Sequence, residues 1–190
     1  DATVFVPDGV HPQAVAAIGA EGAHVVRVDG DYDDAVEAAA TMAAETDAIL
    51  VQDTAWDDYV EVPGWIVDGY ATMFAEIDEQ LVAGGDDAPN LVAIPTGVGS
   101  LLQAALQHYR GPGSAARPAV VSVEADTAAC VFAGVTAGRP VTVATSDTVM
   151  AGLNCGTVST LAWPAISAGL DAALLTTDAA TIRAATDLAD

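Results

Sequence analysis

The sequence predicts an α/β protein built on a parallel sheet flanked by helices. Two observations carry that prediction. Short runs rich in Val, Ile and Leu recur along the chain without polar alternation, as strands buried on both faces of a parallel sheet do. Stretches of helical period separate them, and strand–helix alternation implies parallel, right-handed connections.

The first strand is expected at residues 3 to 7 ("TVFVP") and the first helix at 11 to 20, where Val15 and Ile18 share a face. A strand at 24 to 28 ("HVVRV") precedes a helix at 32 to 45, whose Asp33 and Asp34 suit the positive end of the helix dipole. A third strand is expected at 48 to 52 ("AILVQ"). The helix at 63 to 83 opens with Pro63 near its first position and aligns Ile66, Tyr70, Phe74 and Ile77. Strands at 91 to 95 and 119 to 124 bracket a helix at 100 to 109. A helix at about 160 to 170, a strand at 172 to 177 and a helix at 179 to 189 complete the set. The loops "GGDDAPN" and "RGPGSAARP" are turn chemistry rather than domain linkers. Trp56, Tyr59, Trp65 and Tyr70 are expected to pack against the sheet.

Composition excludes several functions. The 190 residues carry 27 acidic side chains against 5 Arg and no Lys, a net charge of −22. Such a surface repels phosphate backbones, so no nucleic-acid partner is expected. The Asp-rich, Lys-free balance matches cytoplasmic proteins of salt-accumulating microbes, because salt screens the self-repulsion. No apolar run reaches the roughly 18 to 20 residues that a membrane span needs, and no leader pattern opens the chain, so no membrane association is expected. Cys130 and Cys155 lack metal-ligand spacing and His11, His24 and His108 are scattered, so no metal site is expected. The two cysteines read either as small buried residues or as a bridge, should the fold join them.

The chemistry concentrates where strands end, since ligands of such sheets bind outside the carboxyl ends. Three stretches belong there: "QDTAWDDY", "TGVGS" and "EADTAAC". In "PTGVGSL", Gly97 and Gly99 leave room for an anion, Ser100 is able to cap the helix, and the helix start supplies free N–H groups. A bare strand-to-helix turn explains the same residues without a ligand. A dinucleotide fingerprint fits Gly97, Gly99 and the strand-end acid Glu124, but Leu102 stands where its third glycine belongs. The remaining ligand class is pyridoxal 5′-phosphate. Asp53 reads on its own as a cap on the Thr54 and Ala55 amides.

Longer words break the tie. "VQDTAWDDYVEVPGWIVDGYATMFAEI" (51 to 77), "VSVEADTAACVFAGVTAG" (121 to 138) and "SDTVMAGLNCGTVSTLAW" (146 to 163) resemble the diaminopropionate ammonia-lyases. These are pyridoxal phosphate enzymes of the tryptophan-synthase-β-like group, fold type II. The opening "FVPDGVHPQAVAAIGAEGAHVVRVDGDYDDAV" resembles the stretch after the cofactor-lysine region of such enzymes. One departure is Ala125, where the group often carries Pro.

The resemblance implies α,β-elimination of 2,3-diaminopropionate to pyruvate and ammonia, with Asp53 as the catalytic carboxylate. It implies that Gly97, Val98, Gly99 and Ser100 cradle the cofactor phosphate and that Gly152 lets backbone approach the cofactor. Residues 1 to 46 would form part of a smaller α/β domain and 47 to 190 most of the larger, cofactor-binding one. The Schiff-base lysine would precede residue 1 and the pyridine-contacting segment would follow residue 190. The chain is therefore expected to be an interior fragment, inactive alone, of an enzyme that is a homodimer when complete. A threonine or serine dehydratase-like lyase and a nucleotide-binding oxidoreductase domain are the alternatives. A non-catalytic module is the third.

Overall fold

The computed structural model describes residues 1–189. In chain order it contains β1 (Thr3–Pro7), α1 (Pro12–Ala20), β2 (His24–Val28), α2 (Tyr32–Thr46), α3 (Glu61–Gly84), β3 (Leu91–Pro95) and α4 (Ser100–Arg110). Then follow β4 (Ala119–Ala125), α5 (Cys130–Ala137), a 3-10 turn (Ala151–Leu153), α6 (Trp163–Gly169), β5 (Ala172–Thr176) and α7 (Asp178–Ala189). The strands form two parallel sheets rather than one. One pairs β1 with β2, and the other has the order β3–β4–β5.

The main core lies between the three-stranded sheet and α3, α4 and α6. Leu102, Leu106, Tyr109, Val120, Val131, Val158 and Ile166 are at most 1% exposed. Each such aliphatic side chain contributes roughly 1.5–3 kcal/mol by leaving water. Phe74 of α3 meets Tyr109 of α4 edge to face, with ring centroids 5.9 Å apart. Arg110 closes the far end of the layer. Its guanidinium donates to the Gly169 and Pro118 carbonyls and pairs with Asp171 at 2.5 Å.

Several expectations need correction. Only β4, the central strand, is buried along most of its length; Leu91 on β3 is 59% exposed and Leu174 on β5 48%. Residues 48 to 52 join no ladder. The Tyr59 hydroxyl takes the place of a neighbouring strand, accepting from the Gln52 amide at 3.2 Å and donating to the Leu50 carbonyl at 2.9 Å. Ile49 and Val51 are left 84% and 68% exposed. Helix α3 starts two residues early, so Pro63 is its third residue. α6 is shorter than its apolar stretch, beginning only at Trp163. Trp65 points outward at 61% exposure rather than packing on a sheet.

Helix α5 was not anticipated, because no capping side chain precedes it. The cap arrives from β4. Glu124, fully buried, accepts from the Val131 and Phe132 amides at 2.8 Å each. Both carboxylate oxygens of Glu124 are thereby committed, and it cannot serve as the ribose-binding acid of a dinucleotide site.

Candidate active site

The turn after β3 has the geometry of an anion cradle. Thr96 extends the ladder by donating to the Val123 carbonyl at 2.9 Å, and the chain then breaks away. Gly99 is the N-cap of α4 at φ 100°, a left-handed conformation that L side chains rarely adopt. A Cβ at Gly99 would stand 2.9 Å from Ile166 Cδ1, and one at Gly97 would stand 3.0 Å from Cys155 Sγ. Gly99 is thus held to glycine by its backbone, and Gly97 has little room for a side chain. No side chain caps α4, so its opening amides keep their donors for an external acceptor.

Ser100 does not cap the helix, contrary to expectation. It is the first helical residue, and its hydroxyl donates instead to the Asp53 carbonyl at 3.0 Å. That bond joins two stretches 47 positions apart and seats Asp53 beside the glycine turn. Nor does Asp53 cap the Thr54 and Ala55 amides. Thr54 donates to Gln52 Oε1 at 2.6 Å and Ala55 to Ser159 Oγ at 2.9 Å. The Gln52 amide also donates to the Thr54 carbonyl, and the Thr160 hydroxyl donates to the Ala55 carbonyl at 3.0 Å. Residues 52 to 55 are thus tied at the Asp53, Thr54 and Ala55 carbonyls and the Thr54 and Ala55 amides. The Asp53 carboxylate is left outside these ties, and its Oδ1 accepts from the Tyr32 hydroxyl at 3.1 Å.

Gly152 approaches the same turn from the other side. Its carbonyl lies 3.6 Å from the position a Gly97 Cβ would take, with Leu153 Cα at 3.5 Å. A Cβ on Gly152 itself would meet nothing within 4 Å, so packing inside this chain does not explain the glycine. Val98 is 4% exposed, and its carbonyl accepts from the Ser159 amide at 2.9 Å. It offers the site its backbone only. The five positions Asp53, Gly97, Gly99, Ser100 and Gly152 thus come together, with Val98 folded inward behind them.

Both cysteines border the turn. Cys130 Sγ lies 3.5 Å from the Gly97 carbonyl, and both thiols are free and buried. Burial, with the Asp53 and Asp33 charges adding to it, pushes the Cys155 thiol up to about 12, and burial raises Cys130 further. Such thiols stay protonated and are poor nucleophiles.

Sequence reasoning missed Tyr32, Gln52, Ser159 and Thr160. "QDT" hinted at Gln52, since a side chain two residues before a tied amide often closes such a turn. Nothing local marked the other three. A cleft of about 1370 Å³ runs past Tyr32, Gln52, Gly152 and Asn154.

Comparison with known proteins bears on this geometry. The family described as pyridoxal-phosphate dependent enzymes matches residues 1–190. A diaminopropionate ammonia-lyase of Salmonella typhimurium is 36% identical over 169 residues, which is 87% of this chain and 42% of that protein. Its counterpart in Escherichia coli (strain K12) is 34% identical over 164 residues, 86% of this chain and 41% of that protein. The crystal structure of the Escherichia coli lyase in complex with an aminoacrylate-PLP azomethine reaction intermediate superposes with a TM-score of 0.84 at 32% identity. That match covers 94% of this chain and 45% of the other. Threonine deaminase isoform 2 from Solanum lycopersicum shares the fold at a TM-score of 0.73 and 20% identity, over 92% of this chain and 47% of its own. The chain thus spans less than half the length of these curated relatives.

Proposed function

The chain belongs to the pyridoxal-phosphate dependent enzymes of fold type II, and from that premise we propose that the complete protein is a carbon–nitrogen lyase eliminating ammonia from 2,3-diaminopropionate to give pyruvate. The similarity to diaminopropionate ammonia-lyases supports the choice of substrate. One contact carries the reading at this site: the Ser100 hydroxyl on the Asp53 carbonyl, 3.0 Å, which holds the Asp53 backbone beside an uncapped helix start.

The residues present fit the cofactor. An uncapped helix opening, a Gly99 whose φ of 100° demands glycine and a crowded Gly97 suit a phosphate held by backbone amides. Gly97, Val98, Gly99 and Ser100 would hold that phosphate, and Gly152 would border the ring. Bound there, pyridoxal phosphate supplies an electron sink for the negative charge left at the substrate Cα. Asp53 would take or return the proton at a carboxylate oxygen, from a backbone tied through its carbonyl to Ser100. In this reading residues 1 to 46 belong to a smaller domain and 47 to 190 to the cofactor-binding one. The chain contains no Lys to anchor the cofactor covalently and is inactive by itself. The complete enzyme is a cytoplasmic homodimer of a salt-accumulating organism. No helix among the described residues is long and apolar enough to cross a membrane.

The experiment is D53N in the full-length protein, with pyruvate release from D- and L-diaminopropionate measured beside the cofactor absorbance. Turnover of at least one isomer is expected to fall by about 10²- to 10⁴-fold, the worth of a positioned acid or base, with the cofactor retained. Undiminished turnover of both isomers rules out the assignment.

A further inference from the structure

Among the described residues, Tyr32 is the side chain from the unit formed by β1, β2, α1 and α2 that hydrogen-bonds the Asp53 carboxylate. Its hydroxyl donates to Asp53 Oδ1 at 3.1 Å and lies 3.4 Å from Thr54 Oγ1. The next residue makes a parallel contact: Asp33 Oδ2 accepts from the Thr157 hydroxyl at 2.9 Å. The first turn of α2 is therefore fastened at two adjacent positions, one to the 52–55 turn and one to the segment that follows Gly152. That turn is itself fixed in register by the Asp31–Asp34 capping box. A carboxylate whose backbone is held by Ser100, Gln52 and Ser159 still has a free side-chain torsion. Tyr32 supplies the missing restraint.

We infer that Tyr32 is a positioning residue, which holds the Asp53 carboxylate in its working orientation by donating a hydrogen bond to it. The inference rests on Asp53 being the catalytic carboxylate. The donor role is unambiguous in direction. Burial, reinforced by the Asp53 charge, holds the Tyr32 phenol far above the ordinary tyrosine range, so it remains a protonated donor rather than a base. The other titratable groups whose charge reaches Asp53 are Tyr59, from the loop before α3, and Cys155, after the 3-10 turn. Burial raises both as well, so both stay protonated. Neither replaces the Tyr32 hydrogen bond. Docking of α2 and readiness of Asp53 are in this way the same event.

The full-length holoenzyme is compared as wild type, Y32F and D53N. Removing a hydrogen bond to the charged form raises a carboxyl pKa. In Y32F the acid limb of the kcat/KM profile is expected to move up by about one pH unit, with kcat reduced about tenfold and KM nearly unchanged. Independently of turnover, the Asp53 carboxyl infrared band, identified by its loss in D53N, titrates at correspondingly higher pH in Y32F. A 3-fluorotyrosine placed at position 32 keeps the ring and its packing but is a stronger donor, and it shifts both titrations downward. A fall in kcat with neither titration displaced would make Tyr32 merely structural and overturn the inference. D53N with full activity would instead remove the premise, which separates the two failures.

Discussion

Two strand-to-helix junctions in this molecule solve the same problem in opposite ways. Each of β3 and β4 runs into a helix whose first amides point at the strand ends, and neither helix is capped by an adjacent side chain. At β4–α5 the protein closes the junction itself, with the buried Glu124 carboxylate on the Val131 and Phe132 amides. At β3–α4 it leaves the amides open, puts glycines where a side chain would intrude, and turns the nearest hydroxyl, Ser100, away toward Asp53. An internal carboxyl makes a structural joint. An open set of donors makes a place for an anion brought from outside. The same physics of a helix N-terminus thus yields scaffold in one case and site in the other.

The comparison breaks most sharply at Gly99. Gly99→Val puts a β-branched side chain at φ 100° and within 2.9 Å of Ile166 at its first carbon, which closes the open junction by force. Cofactor affinity of the full-length protein, read from its visible absorbance during titration, is expected to fall by about 100-fold or more, as one to three kcal/mol of local strain and a displaced amide accumulate. Normal cofactor affinity in this variant would show that the β3–α4 turn is not the phosphate site.

Glu124→Ala tests the closed junction and should do the reverse. The buried Val131 amide loses its acceptor at about 1–3 kcal/mol, and the part-buried Phe132 amide loses its own at less, so the midpoint of denaturant unfolding should drop. The cofactor site is untouched apart from that loss. A variant as stable as wild type would mean that Glu124 caps nothing of consequence.

The same carboxyl gives the closed junction a pH signature. Burial pushes Glu124 up to about 7 from 4.5, against the two amide hydrogen bonds that favour its charge. Between those values the folded protein holds a proton that the unfolded chain has released. Its contribution to stability is therefore complete below pH 4.5, declines as pH rises, and levels off above 7. The slope attributable to this one proton is at most about 1.4 kcal/mol per pH unit. Unfolding free energy measured across this range should decline more steeply in wild type than in E124Q, whose side chain cannot titrate.

What the sequence reveals and what it hides follow the same division. The glycine turn is readable because Gly97, Gly99 and the strand before them are contiguous, and the apolar runs of β1 to β5 read as strands for the same local reason. Helix α5 is invisible because its cap, Glu124, lies on another element. The 48–52 run misleads because apolar composition makes a strand only where a neighbouring strand accepts its backbone, and here the Tyr59 hydroxyl does so. The restraints on Asp53 and its turn are hidden by distance along the chain: Tyr32 is 21 positions away, Ser100 is 47, and Ser159 ties Ala55 across 104. Asp53 was readable only through the words that surround it.

A third junction, β2–α2, offers the gentlest test. Here the cap is local and exposed: Asp31 accepts from the Asp34 amide at 3.1 Å while Asp34 accepts from the Asp31 amide at 2.8 Å. Water can replace either bond at little cost, which is not so for Glu124. Asp31→Ala should therefore lower stability by about 1 kcal/mol, the ordinary worth of an N-cap, and leave cofactor affinity unchanged because the phosphate cradle lies on β3–α4. Thermal unfolding with and without added pyridoxal phosphate separates the two quantities. A loss of cofactor affinity larger than the loss of stability would mean that α2 braces the cradle directly, and that the open and closed junctions are not as independent as their geometry implies.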